Sequence, residues 1–170
     1  DEANQMLDFD LKDMIFNGPE EDLNNTKNTQ PAIYTVSAMV KAVLNENGLQ
    51  AAAAAGHSLG EYSALHAAGV LTFEDGLKLV RRRGELMDQA DPDGKGTMAA
   101  VIGLADEEVE AVLEEIAGIV TVANYNSPGQ VVISGEVEAV GKAEELLAEK
   151  GAKRVIPLSV SGAFHSPLME

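Results

Sequence analysis

Residues 56–60 read Gly-His-Ser-Leu-Gly, after the alanine run 51–55 and before the segment EYSALHAA. Such a serine has two possible uses. It is either part of a flexible surface turn or the tip of a strained strand-to-helix corner that presents Ser58 Oγ as a nucleophile. In the second case the glycines allow a turn so tight that neighbouring side chains would collide. The helix starting beside it aims backbone N–H groups at a developing oxyanion. Leu59 N–H, one residue past the serine, is the natural first donor. Small apolar residues before the corner and a helix-like segment after it favour the nucleophile.

A serine needs a base, and the sequence offers three histidines. His57 adjoins Ser58 in the chain, so it points elsewhere and reads as packing at the corner. His66 lies two helical turns on and reads as a partly buried helix residue. His165, in the loop sequence GAFHSP, is a surface residue by default, yet it is the best-placed candidate because the other two are badly placed. The absence of cysteine excludes a disulfide framework, a thiolate metal site and a cysteine nucleophile. Asp75, Asp88, Asp91 and Asp106 lie between Ser58 and His165 and could supply a triad acid, though each sits in a turn or helix start that accounts for it.

The elements that must position these residues follow from periodicity and breakers. Residues 3–16 have helical spacing and end at Asn17-Gly18-Pro19. The polar, Asn-rich residues 20–29 read as a loop. Residues 30–45 form a helix with Ile33, Val36, Val40 and Leu44 on one face and Pro31 in its first turn. Residues 51–55 are assigned to a strand on position, against alanine's helical preference. Helices follow at 60–68 and 73–89, the latter with Leu77, Val80, Gly84 and Met87 on one face. After the turn 91–94, strands at 97–102, 119–124, 130–134 and 153–158 alternate with helices at 106–116, capped by Asp106, and 136–150. This β-α-β-β-α-β order predicts a split-βαβ, ferredoxin-like module, with the tail SVSGAFHSPLME lying outside it.

Length and charge limit the rest. A chain of 170 residues, 45% hydrophobic and 24% charged, suits a soluble globular protein with one sizeable core or two small ones. It has no apolar run long enough to span a bilayer and no signal-peptide pattern. A net charge of −16 argues against nucleic-acid binding. Arg81-Arg82-Arg83 is the densest basic run, with Lys153-Arg154 second; Arg81 and Arg82 read as a solvated helix face.

Taken in order, GHSLGEYSAL, VRRRGELM, GTMAAVIGL, NYNSPGQVVISG and GAFHSPLM resemble the malonyl-CoA:acyl carrier protein transacylase family, the acyltransferases of fatty-acid and polyketide synthesis, over nearly the whole chain. The resemblance implies an α/β fold. An α/β-hydrolase-like core would take residues 1–95, an inserted ferredoxin-like subdomain 96–158, and residues 159–170 would return to the core with the histidine. It implies malonyl transfer from CoA to the phosphopantetheine thiol of acyl carrier protein by a ping-pong route. Ser58 would be acylated and His165 would be the base. Arg83, immediately before Gly-x-x-M, would bind the malonyl carboxylate, a role that suits its planar bidentate fork. Phe164 matches the bulky residue that crowds an α-methyl group in malonyl-specific relatives. Gln30 matches a position near the pocket, and reads equally as a residue of a helix's first turn.

The same resemblance implies no metal or redox cofactor, a cytoplasmic monomer, and malonyl-CoA and acyl carrier protein as partners. The family's Gly-Gln-Gly segment, source of the second oxyanion donor, and its later residues that orient the histidine have no match here. The chain is therefore expected to be truncated at both ends and poorly active alone, since one lost donor costs about 10²–10³ in rate. Two rival readings stand beside the transacylase: a serine esterase or hydrolase, for which Arg83 has no task, and a non-catalytic ferredoxin-like binding module. An acyltransferase domain within a polyketide synthase is a variant of the first reading.

Overall fold

The computed structural model describes residues 1–91, 93–160 and 162–170. Pro92, in the expected turn 91–94, and Ser161, in the tail, lie outside the described residues. The fold is α/β, as expected from the sequence, with eight helices and one four-stranded antiparallel sheet among the described residues. It divides into two compact units, Asp1–Leu86 and Met87–Glu170.

The first unit is helical. α1 (Glu2–Met6) and α2 (Leu11–Asn17) replace the single helix predicted over 3–16. The break is made by Asp10, whose carboxylate accepts from Asp13 N–H at 2.8 Å and from Asn4 Nδ2 at 2.6 Å, starting a new helix. The predicted loop 20–29 instead contains α3 (Glu20–Asn24) and the start of α4 (Thr26–Glu46). Three acidic residues in α3's first turn complement its dipole, and Asn25 Oδ1 accepts from Lys27 N–H at 3.3 Å to cap α4. Polarity in that stretch encodes helix starts. Pro31 accordingly lies inside α4, not in its first turn.

The apolar stripe of α4 is not its buried face. Its buried residues are Gln30, Pro31, Ala32, Tyr34 and Thr35, whereas Ile33 (50% exposed), Val36, Val40 (53%) and Leu44 face outward. Periodicity identifies an apolar stripe but not the element that covers it. The unit's core gathers Ala3, Leu11, Ala32, Tyr34, Leu59, Leu77 and Val80, with Tyr34 stacked on Phe73 at 5.7 Å between ring centroids. α5 (Gly60–Ala67) and α6 (Phe73–Gln89) follow the predicted bounds closely.

Residues 51–55 are not a strand: they are exposed and belong to no ladder. Extended backbone is held in a sheet by a neighbour's N–H and C=O groups, and every strand among the described residues lies in the second unit. Alanine brings no β-branched side chain to compensate.

In the second unit, β1 (Gly96–Ile102), α7 (Asp106–Glu114), β2 (Val120–Ser127), β3 (Gln130–Glu136), α8 (Val137–Lys150) and β4 (Arg154–Pro157) form a sheet of order β2-β3-β1-β4. β1 pairs antiparallel with both β3 and β4, from Gly96 opposite Glu136 to Ile102 opposite Gln130 on one side. α7 begins at Asp106 with Ala105 as its N-cap, so the predicted Asp106 cap is displaced by one residue; the Glu108 carboxylate accepts Ala105 N–H at 3.0 Å.

Alternation along the strands separates two apolar layers. Ala99, Val101, Val131 and Ile133 meet Val109, Val112 and Leu113 of α7 and Val140, Ala143 and Leu147 of α8. On the opposite face Met98 and Val132 meet Phe164, with Met87, Leu158 and Met169 around them.

Burial, more than residue type, should set mutational cost on α8. Leu147→Ala removes a side chain with no exposed surface and is expected to destabilise by about 2–5 kcal/mol. Val137→Ala, at a position 49% exposed, should stay within about 0.5 kcal/mol. Urea unfolding of the two variants checks this.

Candidate active site

The corner at Ser58 is built from backbone. Gly60, Glu61 and Tyr62 N–H groups donate to the carbonyls of His57, Ser58 and Leu59 at 2.8, 3.2 and 3.0 Å, so α5 winds up directly from the serine. Leu59 N–H precedes the first of these bonded amides. Ser58 itself has φ of +51°, in the left-handed region that costs a non-glycine residue of order 1–3 kcal/mol.

The two glycines of the motif are not equivalent. A Cβ on Gly56 would overlap the carbonyl of Gly60, whereas a Cβ on Gly60 would meet nothing within 4 Å. Only the first is required by close approach, a correction to the expectation that both relieve collisions. His57 is exposed, so its expected packing role is not observed. His66 is half-buried as expected: its Nδ1 lies 3.2 Å from Leu71 O and its ring packs edge-on to Tyr34 and Phe73.

Three helices converge on Ser58. A Cβ on Gly84 would run into Lys27 Cα and Thr26 O, so its absence lets α6 pass closely over the start of α4. Arg83, next along α6, then reaches Gln30 on α4 and the corner before α5. Its Nη1 donates to Gln30 Oε1 at 2.7 Å and its Nη2 to Ser58 Oγ at 2.9 Å. Gln30 is 4% exposed, a buried amide facing a cation, and not merely a residue of a helix's first turn.

Arg81 is also not the solvated residue expected. It donates to Lys27 O at 3.2 Å, pairs with Glu85 at 3.0 Å and stacks over Phe9, fastening the same crossing, while Arg82 remains exposed beside Glu85. Ser58, Arg83 and Gln30 thus form one cluster in the first unit. A fourth member, Tyr62, was missed by sequence reasoning: the Arg83 guanidinium lies 5.9 Å from its ring centroid. Its place one helical turn after Ser58 was the available signal.

His165 and Phe164 belong to the second unit. Their turn is pinned by buried neighbours: Ala163 lies against Gly96, Phe164 joins Met98 and Val132, and Ser166 Oγ donates to Ala163 O at 2.6 Å. His165 alone of this group is exposed, and its φ is +60°. Among the described residues, Ser58 and His165 are the two non-glycine residues with positive φ. Of the four acids weighed as triad members, Asp75 pairs with the Thr72 hydroxyl at 2.8 Å, and Asp91 accepts from the N–H groups of Lys95 and Gly96 at 2.8 and 2.6 Å. Both have structural work in place. No helix among the described residues is long and apolar enough to cross a membrane.

The acyl transferase domain model matches residues 1–170. The chain belongs to that family. Its relatives include the malonyl CoA-acyl carrier protein transacylase of Bacillus subtilis, 49% identical over 173 residues covering 100% of this chain and 55% of the relative. Among solved structures, an acyl carrier protein S-malonyltransferase from Vibrio cholerae superposes with a TM-score of 0.93 at 48% identity, over 99% of this chain and 56% of that one. A malonyl-transacylase in complex with its type II polyketide-synthase acyl-carrier protein superposes at 0.95 with 47% identity, over 99% and 55%. The chain therefore spans about half the length of the family members it matches.

The glycine asymmetry at the Ser58 corner is open to test. In the full-length chain, Gly56→Ala should slow labelling of Ser58 by a fluorophosphonate probe about 10²-fold, the scale on which a 1 Å misplacement of a reacting group acts. Gly60→Ala should retain most of the labelling; equal losses would contradict the geometry.

Proposed function

We propose that this chain carries the acyl-transfer site of a malonyl-CoA:acyl carrier protein transacylase. The observation that carries the reading is the Arg83 guanidinium resting on Ser58 Oγ while Gln30 holds its other terminal nitrogen. A cation held beside the serine suits an acyl group that brings its own carboxylate. A neutral ester would leave it without a task.

In the proposed reaction His165 takes the proton of Ser58 as Oγ attacks the thioester carbonyl of malonyl-CoA. The tetrahedral oxyanion is met by Leu59 N–H, and the Arg83 fork donates to the malonyl carboxylate. The C–S bond breaks, CoA leaves as the thiol with the proton His165 had taken, and malonyl remains esterified to Ser58. The phosphopantetheine thiol of acyl carrier protein then gives its proton to His165 and attacks the ester. Collapse of that second intermediate returns the proton to Ser58 Oγ and releases malonyl carrier protein. The scheme calls on no metal or redox group. Left-handed backbone at Ser58 and His165 supports their roles, because such strain gathers at functional positions. Phe164, fixed among Met98 and Val132, is proposed to narrow the space beside the malonyl α-carbon.

The proposal extends to architecture and setting. Residues 1–95 are read as part of an α/β-hydrolase-like core and 159–170 as the return to it. The β-α-β-β-α-β order with antiparallel strand order β2-β3-β1-β4 supports a ferredoxin-like subdomain at 96–158. The protein is proposed to act as a cytoplasmic monomer, with malonyl-CoA and acyl carrier protein as its partners.

Incubating the full-length protein with malonyl-CoA should add the mass of one malonyl group, and Ser58→Ala should abolish the adduct. Arg83→Met should lower kcat/KM for malonyl-CoA about 10²-fold, the worth of one or two charge-assisted hydrogen bonds, and spare a neutral acyl-CoA. Equal losses with both donors would point to a hydrolase.

A further inference from the structure

Both polar partners of Arg83 are gathered at its terminal nitrogens, Gln30 Oε1 on Nη1 and Ser58 Oγ on Nη2. Because guanidinium N–H groups lie in the plane of the group, such bonds direct its edge. They leave it free to tilt about the line joining the two acceptors. A carboxylate bound bidentately needs that tilt fixed, since both its oxygens must meet N–H groups in one plane.

The missing restraint comes from a ring face. Arg83 Cζ lies 5.9 Å from the centroid of Tyr62, within the range in which a cation is drawn to an aromatic face. Tyr62 sits four residues after Ser58, on α5, and its own N–H closes the first turn onto Leu59 O at 3.0 Å. Ring and serine are therefore one backbone turn apart, at the start of α5, while Arg83 is carried by α6. Movement of α6 relative to α5 would shift the base of the arginine side chain, but the ring keeps the guanidinium referenced to Ser58.

We infer that Tyr62 is a positioning residue: the face of its ring sets the tilt of the Arg83 guanidinium beside Ser58, and through it the recognition of an acyl group bearing a free carboxylate. The inference rests on the carboxylate role proposed for Arg83. It assigns the task to the ring, so phenylalanine should serve as well as tyrosine.

The test uses the full-length protein with malonyl-CoA and acetyl-CoA as donors, and reads the ratio of their kcat/KM values. That ratio does not depend on the fraction of enzyme folded, so a merely destabilised variant leaves it unchanged. Tyr62→Leu and Tyr62→Met should lower the ratio about three- to tenfold, the scale of a partly desolvated cation–π contact, with the loss entering through KM for malonyl-CoA. Tyr62→Phe should restore the ratio. An unchanged ratio in the leucine and methionine variants, or a phenylalanine variant as poor as they are, overturns the positioning role. Arg83→Met separates the two levels: a selective loss of malonyl-CoA use there beside an unchanged ratio in Tyr62→Leu sinks the positioning role alone. Equal losses with both donors in Arg83→Met remove the carboxylate reading and Tyr62's role with it.

Discussion

A half-buried guanidinium that rests on a serine hydroxyl organises the first unit. Taking a cation out of water is costly unless hydrogen bonds replace its hydration, and Arg83 finds replacements on two elements other than its own. That requirement constrains the helices as much as the side chains. α6 has to approach the start of α4 closely enough for Arg83 to reach Gln30, which is why Gly84 faces Lys27. Arg81, three residues before that glycine, fastens the same crossing through Lys27 O and Asn28 Oδ1. The basic run is thus two anchored arginines around an exposed one.

The corner beneath the guanidinium has its own constraint. A serine with φ of +51° persists only where its surroundings hold it there. Here the holding is done by three consecutive backbone hydrogen bonds that begin α5, by the burial of Leu59, and by the absence of a side chain on Gly56. The His165 turn uses a different device for the same purpose. Buried Ala163, Phe164 and Ser166 fix the flanks, and the one exposed residue of the group carries the left-handed backbone. In both places packing of ordinary residues offsets the strain of one unusual residue.

How much of this was legible in the sequence differs between the two units. The second unit read almost completely, because its strands are short β-rich runs, its helices have sharp ends and its turn residues fall between them. The first unit read poorly where information is non-local. The alanine run 51–55 looked like a strand from its position, but strand formation depends on a partner that local sequence does not reveal. The stripe Ile33, Val36, Val40 and Leu44 was legible as one face of the helix, but not which face is covered: the buried residues of α4 include Gln30 and Tyr34. Caps were the other gap: Asp10 starts a second helix inside a stretch read as a single one, and Asn25 starts α4 in a stretch whose polarity suggested a loop. At the site, Ser58, Arg83 and Gln30 were nominated from motif resemblance and meet in one cluster. Tyr62 was missed because motif reading attends to polar atoms, and its contribution is a ring face.

The cluster also bears on which residue governs the choice of acyl group under the proposed function. A pocket wall such as Phe164 acts by shape, and discrimination of one methyl group by shape is worth about 1–3 kcal/mol. A site built around buried polar partners discriminates far more strongly, by about 10⁴–10⁵, because a substrate lacking the matching group leaves those partners unpaired. Under the proposed function Arg83 acts by charge and hydrogen bonding, between these two limits. Without a carboxylate it still has Gln30 and Ser58, so the empty site is tolerable, and part of the penalty for a neutral acyl group is relieved by those two bonds. The same relief places a hydrogen bond on the hydroxyl that must attack. A donor that brings a carboxylate offers the guanidinium a charged acceptor, stronger than a neutral hydroxyl, and so favours loosening its hold on Ser58 Oγ. Under the proposed function, recognition of the acyl group and availability of the serine would in this way be tied to one side chain, and methyl discrimination at Phe164 would be a finer adjustment on top of it.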